Sequence, residues 1–135
     1  MAQLPENVIK VLEGGHTLWV ATATADGCPN ITIKGSGAVA DSEHLYFADL
    51  FSKKTRANLE QNPFVAIGIH DTEGKVAVQV KGRATMSDDG ALYEKVVAAL
   101  KAKAPGLHAP KYVVEVAVES VWDMTPGQNA GNQIA

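Results

Sequence analysis

The segment Leu50-Phe51-Ser52-Lys53-Lys54-Thr55 carries the clearest chemical pattern in the chain. It follows a strand-like stretch and opens a predicted helix, with Ser52 in position to cap it. The first backbone N–H groups of a helix have no partner within it, and the positive end of the helix dipole lies there. Lys53 and Lys54 add charge, and Thr55 adds a hydroxyl donor. An anion, a phosphate above all, suits such a place. Read alone, the same residues also describe a capped helix with solvated lysines. A second pattern lies upstream. Asn30, Thr32 and Lys34 recur at period two and form a polar row that can hydrogen-bond a flat ligand. The row equally suits the solvent face of an antiparallel sheet, with Ile31 and Ile33 turned inward. A third pattern is Gln79, Lys81 and Arg83 on one face of a later strand, which again reads equally as a solvent face.

Other chemistries find no support in the spacing. The histidines at 16, 44, 70 and 108 show no paired-ligand spacing, so no metal site is nominated. Cys28 stands alone, which excludes an intrachain disulfide and any multi-cysteine cluster. Gly35-Ser36-Gly37 lacks the third glycine and following helix of a dinucleotide fingerprint; it predicts a bulge or a close backbone approach. No nucleophile elbow, zinc-protease helix or P-loop is present, and no acid–base catalytic residue is nominated.

The elements that must position these residues follow from periodicity. Leu4, Val8, Val11 and Leu12 share one helical face, with Pro5 at the start and Gly14-Gly15 as a stop. Strands are predicted over residues 16–24, 30–40, 44–48, 64–70, 75–86 and 111–124, the last broken near Glu119-Ser120. Leu18, Val20 and Thr22 form one face of the first. A mostly polar helix runs from Ser52 to Asn62, where Pro63 ends it. Another covers residues 88–103 on Leu92, Val96, Ala99 and Leu100. Residues 1–124 then form one domain, and 125–135 a polar tail expected to be loose. The class is mainly β with α: six antiparallel strands in a closed or split barrel with helices at its rim.

Composition sets the outer limits. At 135 residues the chain fits a single domain, and a deep pocket would draw on a second copy. A net charge of −3 argues against a nucleic-acid groove. No apolar run approaches the roughly 20 residues that span a bilayer. The N-terminus lacks the pattern of a signal peptide, so a cytoplasmic location is expected.

In their order along the chain, these parts resemble the FMN-binding split-barrel family that includes pyridoxamine 5'-phosphate oxidase. The similarity is greatest to its short members, small homodimeric FMN-binding proteins of bacteria. It runs from about Leu4 to Val121 and rests on residues 26–34, 45–49, 52–59, 62–67 and 78–84. It implies a six-stranded antiparallel split β-barrel of Greek-key type with short flanking helices. It also implies that Lys54 and Thr55 hold the flavin phosphate, with Lys53 and Ser52 beside them. Asn30, Ile31, Thr32 and Lys34 would line the flavin, and Phe47 and Ala48 would flank its ring or ribityl chain. Gln79 and Trp122 would reach the site from the partner subunit of a homodimer. The implied function is a redox-active FMN flavoprotein that passes electrons or acts on a small molecule. The alternative is a non-catalytic protein of the same fold that binds or senses flavin, deazaflavin or haem. Two departures speak against vitamin B6 oxidase activity. Pro29 or Asn30 stands where the full oxidases carry an arginine, and residues 127–132 replace their substrate-gripping C-terminal segment.

Overall fold

The computed structural model describes residues 1–35 and 37–135. Three helices are present among them: α1 (Glu6–Glu13), α2 (Lys54–Gln61) and α3 (Gly90–Lys103). The strands are β1 (Leu18–Ala23), β2 (Pro29–Lys34), β3 (Ala38–Asp41), β4 (His44–Asp49), β5 (Phe64–Asp71), β6 (Val76–Ser87) and β7 (Tyr112–Asp123). They form one sheet in the order β2-β1-β5-β6-β7-β4-β3, and every neighbouring pair is antiparallel.

The described strands number seven rather than six because residues 30–40 form two strands, β2 and β3, at opposite edges of the sheet. The glycine pair therefore marks a crossing between edges, not a bulge within a strand; Ser36 itself lies outside the described residues. So short a link spans at most about 14 Å, so the two edges must approach and the sheet curls into a barrel that stays split. Gly37 permits the approach. A Cβ there would collide with the Leu18 side chain and press on the Tyr46 carbonyl, which belong to the strands next to either edge. The expected close backbone approach is thus present.

Period two fills the barrel. Leu18 and Val20 of β1, Ile67 of β5, Val80 of β6, Val116 of β7 and Leu45 of β4 are all fully buried. Val8 and Leu12 of α1 join the same core. Each such side chain contributes about 1.5–3 kcal/mol on burial. β7 is continuous where a break was expected. Lys81 pairs with Ser120 and Gly82 with Val118, so Glu119 is the extra residue of a bulge.

The tail is not loose. The Ile134 and Ala135 N–H groups donate to the Val121 carbonyl, and the Asp123 N–H to that of Asn132. β4 pairs with β7 only as far as Ala117, which leaves the later edge of β7 open for these bonds. Backbone pairing is blind to the tail's polar composition. α3 also departs from expectation: of its four apolar positions only Val96 is buried, and Ala99 is exposed. Among the described residues no helix is long and apolar enough to cross a membrane.

Candidate functional site

β4 alternates so that Leu45, Phe47 and Asp49 all face inward. The third of these is an acid only 2% exposed, at the end of the core beside the start of α2. The Asp49 carboxylate accepts from the Ser52 N–H at 2.9 Å, from the Ser52 hydroxyl, and from Arg56 Nε at 3.3 Å. Lys34 Nζ lies 3.5 Å away. Burial pushes the carboxyl up; the Ser52 bonds, Lys34 and Arg56 more than reverse this, and hold it below the ordinary carboxylate value.

This arrangement corrects one expectation. Ser52 does not cap α2, because its hydroxyl and N–H are both turned back to Asp49. Lys53 occupies the cap position, and no side chain caps the helix. The first N–H groups of α2 are thereby left for a guest, with Lys53 and Lys54 exposed around them. Thr55 is buried, and its Oγ1 accepts from Asn30 Nδ2 at 3.3 Å. Asn58 is buried and donates to Thr22 Oγ1 at 3.0 Å, tying α2 to β1. These bonds, with Leu59 in the core, fix a helix whose composition is mostly polar. The Arg56 guanidinium sits 5.0 Å over the Tyr112 ring, and its Nη2 is buried with no partner among the described residues.

The facing of β2 is the reverse of that predicted. Ile31 and Ile33 point outward, 63% and 56% exposed, while Asn30, Thr32 and Lys34 are half-buried. The cause is the partners on the inner side. Lys34 Nζ donates to Ser52 Oγ at 3.1 Å besides meeting Asp49, and Asn30 bonds Thr55.

Two adjoining clefts open here. One of about 290 Å³ is lined by Asn30, Ile31, Thr32, Phe51 and residues Ser52 to Thr55. The other, about 400 Å³, shares Thr32, Phe51 and Ser52 and adds Lys34, Ala48 and Leu100 among others. Together they match the size of a small-ligand site. The structure therefore brings together Asn30, Ile31, Thr32, Lys34, Ala48, Ser52, Lys53, Lys54 and Thr55. It places three predicted residues elsewhere. Phe47 is 1% exposed in the core, its ring 5.8 Å from Lys34 Nζ, so it packs beneath that lysine. Gln79 and Trp122 are register partners on β6 and β7, on the sheet's outer side. Trp122 Nε1 donates to Ser120 Oγ at 2.8 Å. Gln79 lines a depression of about 270 Å³ with Trp19, Ile31, Gly68 and Met124. Sequence reasoning missed Asp49 and Arg56 as site residues. The available signal was an acid in phase with Leu45 and Phe47 on a buried strand face.

Fold and site together define a class: an antiparallel split barrel whose mouth holds an uncapped helix start with surplus positive charge. The family model of pyridoxamine 5'-phosphate oxidase matches residues 4–125, and the chain belongs to that family. Uncharacterized protein MJ0282 of Methanocaldococcus jannaschii is 31% identical over 137 residues, covering 100% of this chain and 90% of that protein. The structure of HupZ from Group A Streptococcus superposes with a TM-score of 0.81 at 26% identity, over 95% of this chain and 99% of HupZ. An F420 reductase superposes with a TM-score of 0.67, also at 26% identity, over 87% of this chain and 98% of that one.

Proposed function

We propose that this protein binds FMN without covalent attachment, as a homodimer, and is redox-active toward a small molecule. One observation carries the reading: the uncapped start of α2, with Lys53, Lys54 and Lys34 around it and Asp49 the one buried acid among the described residues, opens onto the paired clefts. Charge surplus and unpaired N–H groups suit a phosphate. Lys54 and Thr55 would hold the phosphate, with Lys53 and Ser52 beside them. Asn30, Thr32, Lys34 and the β2 backbone would run along the rest of the molecule, and Ala48 leaves room for it. The bound flavin supplies the redox chemistry; the protein anchors it, limits its contact with water and sets its hydrogen bonds.

Gln79 and Trp122 would meet the same flavin only from a second chain. The exposed Trp19, Ile31 and Ile33 form an apolar outer face that supports self-association. The likeness to an F420 reductase favours a second reading, in which the guest is a deazaflavin coenzyme with the same phosphate anchorage.

The test is a titration of the purified chain with FMN and with F420, followed by visible absorption and fluorescence. Replacing Lys54→Ala together with Thr55→Ala removes charge-assisted hydrogen bonds and should weaken FMN binding about a hundredfold. Unchanged affinity in that variant overturns the phosphate assignment. Tighter binding of F420 than of FMN transfers the site to the deazaflavin reading.

A further inference from the structure

We infer that the pocket between α3 and the β3–β4 hairpin binds a second small molecule, an aromatic or similarly flat apolar acid, beside the proposed flavin. The pocket holds about 200 Å³ and is lined by Tyr46, Ala48, Val96, Ala99, Leu100 and Lys103 among others. Its role as the seat of the molecule presented to the flavin rests on the cofactor reading above; its occupancy does not.

Four observations converge. α3 has not consumed its apolar face. Ala99 is exposed and Leu100 half-buried, although helix periodicity places both with the buried Val96. The volume fits one ring with a substituent, since a cavity of about 150 Å³ accommodates benzene. The pocket adjoins the 400 Å³ cleft, because Ala48 and Leu100 line both.

Charge then selects the ligand's polar group. Lys103 is the one ionised side chain on the described lining, and it lies in the last turn of α3. A helix C-terminus presents carbonyl oxygens and the negative end of the dipole. That end opposes a dianion such as phosphate, which the start of α2 by contrast favours. A single carboxylate balanced by Lys103 fits, with the Tyr46 phenol at hand as a further hydrogen-bonding group. The two adjoining cavities thus differ in kind: phosphate at α2, an apolar monoanion at α3.

The experiment follows methyl resonances of the full chain by NMR while benzoate, benzamide and phenyl phosphate are titrated, first without FMN and then with FMN at saturation. Benzoate should shift the methyl groups of Val96, Ala99, Leu100 and Ala48 saturably, and bind roughly fivefold tighter than benzamide. Lys103→Gln should erase that preference. Ala99→Phe, at an exposed helix position that tolerates the larger ring, should fill the pocket and abolish the shifts. Absence of saturable shifts, shifts that survive Ala99→Phe, or tighter binding of phenyl phosphate than of benzoate each overturn the inference. Benzoate binding in a chain that takes no FMN would sink the cofactor reading and leave the pocket standing. FMN binding without benzoate shifts would do the opposite.

Discussion

β2 has two faces whose burial runs against their polarity. Toward α2, Asn30, Thr32 and Lys34 are half-buried; away from it, Ile31 and Ile33 stand exposed beside Trp19. A polar row can face protein when each group finds a partner, because an unpaired buried amide or hydroxyl costs on the order of 2 kcal/mol. Asn30 and Lys34 have such partners in Thr55, Ser52 and Asp49. An apolar row can face outward when another surface covers it. The contrast shows one edge strand with an inner face organised around charge and an outer face that is apolar and exposed.

The largest expected effect breaks the inner face. Asp49→Ala would leave Lys34 and Arg56 without their shared carboxylate, and removing one partner of a buried ion pair costs about 3 kcal/mol. Denaturant unfolding should show that loss with an unchanged slope. Ile33→Thr on the outer face, read in the same way at concentrations that keep the chain monomeric, should stay within about 0.5 kcal/mol. Equal losses from the two substitutions would dissolve the distinction between the faces.

The outer face gives the next effect. Ile31→Ser with Ile33→Ser removes apolar area from any covering surface, and should weaken self-association by about 2 kcal/mol, or roughly thirtyfold. Sedimentation velocity across a dilution series measures this directly. A variant as dimeric as its parent would remove the outer face from the interface.

Much of this contrast was legible in the sequence, and the part that was not has a physical cause. Period two identified β1, β4, β5 and β6 because large apolar residues recur at every second position: Leu18 and Val20, Leu45 and Phe47, Val65, Ile67 and Ile69, Val78 and Val80. A helix beginning soon after Ser52 was legible, but its cap was not, because Ser52 turns back to Asp49 and Lys53 takes the cap position. The facing of β2 was not, because the usual rule assigns isoleucine to the core. It fails where Asp49 draws Lys34 inward across 15 residues of chain, a pairing invisible to any local window. The division of residues 30–40 between two sheet edges escaped for a related reason, since both halves read as strand and only the barrel's curvature separates them. The tail escaped because its order comes from backbone bonds to Val121 and Asp123, which no side chain announces.

pH sharpens the comparison with smaller effects. Asp49 is held below the ordinary carboxylate value in the folded chain. Its contribution is therefore present above the unfolded value, about pH 4, and is lost as pH falls through the lower folded one. Asp49→Asn should flatten the acid limb of a stability–pH curve, and an unchanged limb would mean that Ser52 and the two cations do not hold that carboxylate ionised.

The smallest effect lies across the sheet, in the β3–β4 hairpin, where Asp41 accepts from His44 Nδ1 at 2.8 Å. That hydrogen bond raises the His44 value above the ordinary one. Here the sign is opposite: the contribution is complete below the unfolded histidine value and fades as pH rises through the folded one. The pair stands in water, with Asp41 well exposed, so solvent and salt screen it. His44→Gln should lower the melting temperature slightly at pH 5 and leave it unchanged at pH 8, with added salt erasing the difference. A carboxylate paired with a cation thus yields a firm support where Asp49 is buried against Lys34 and Arg56, and a weak one where the exposed Asp41 meets His44. A loss at pH 5 as large as that from Asp49→Ala would show that burial does not separate them.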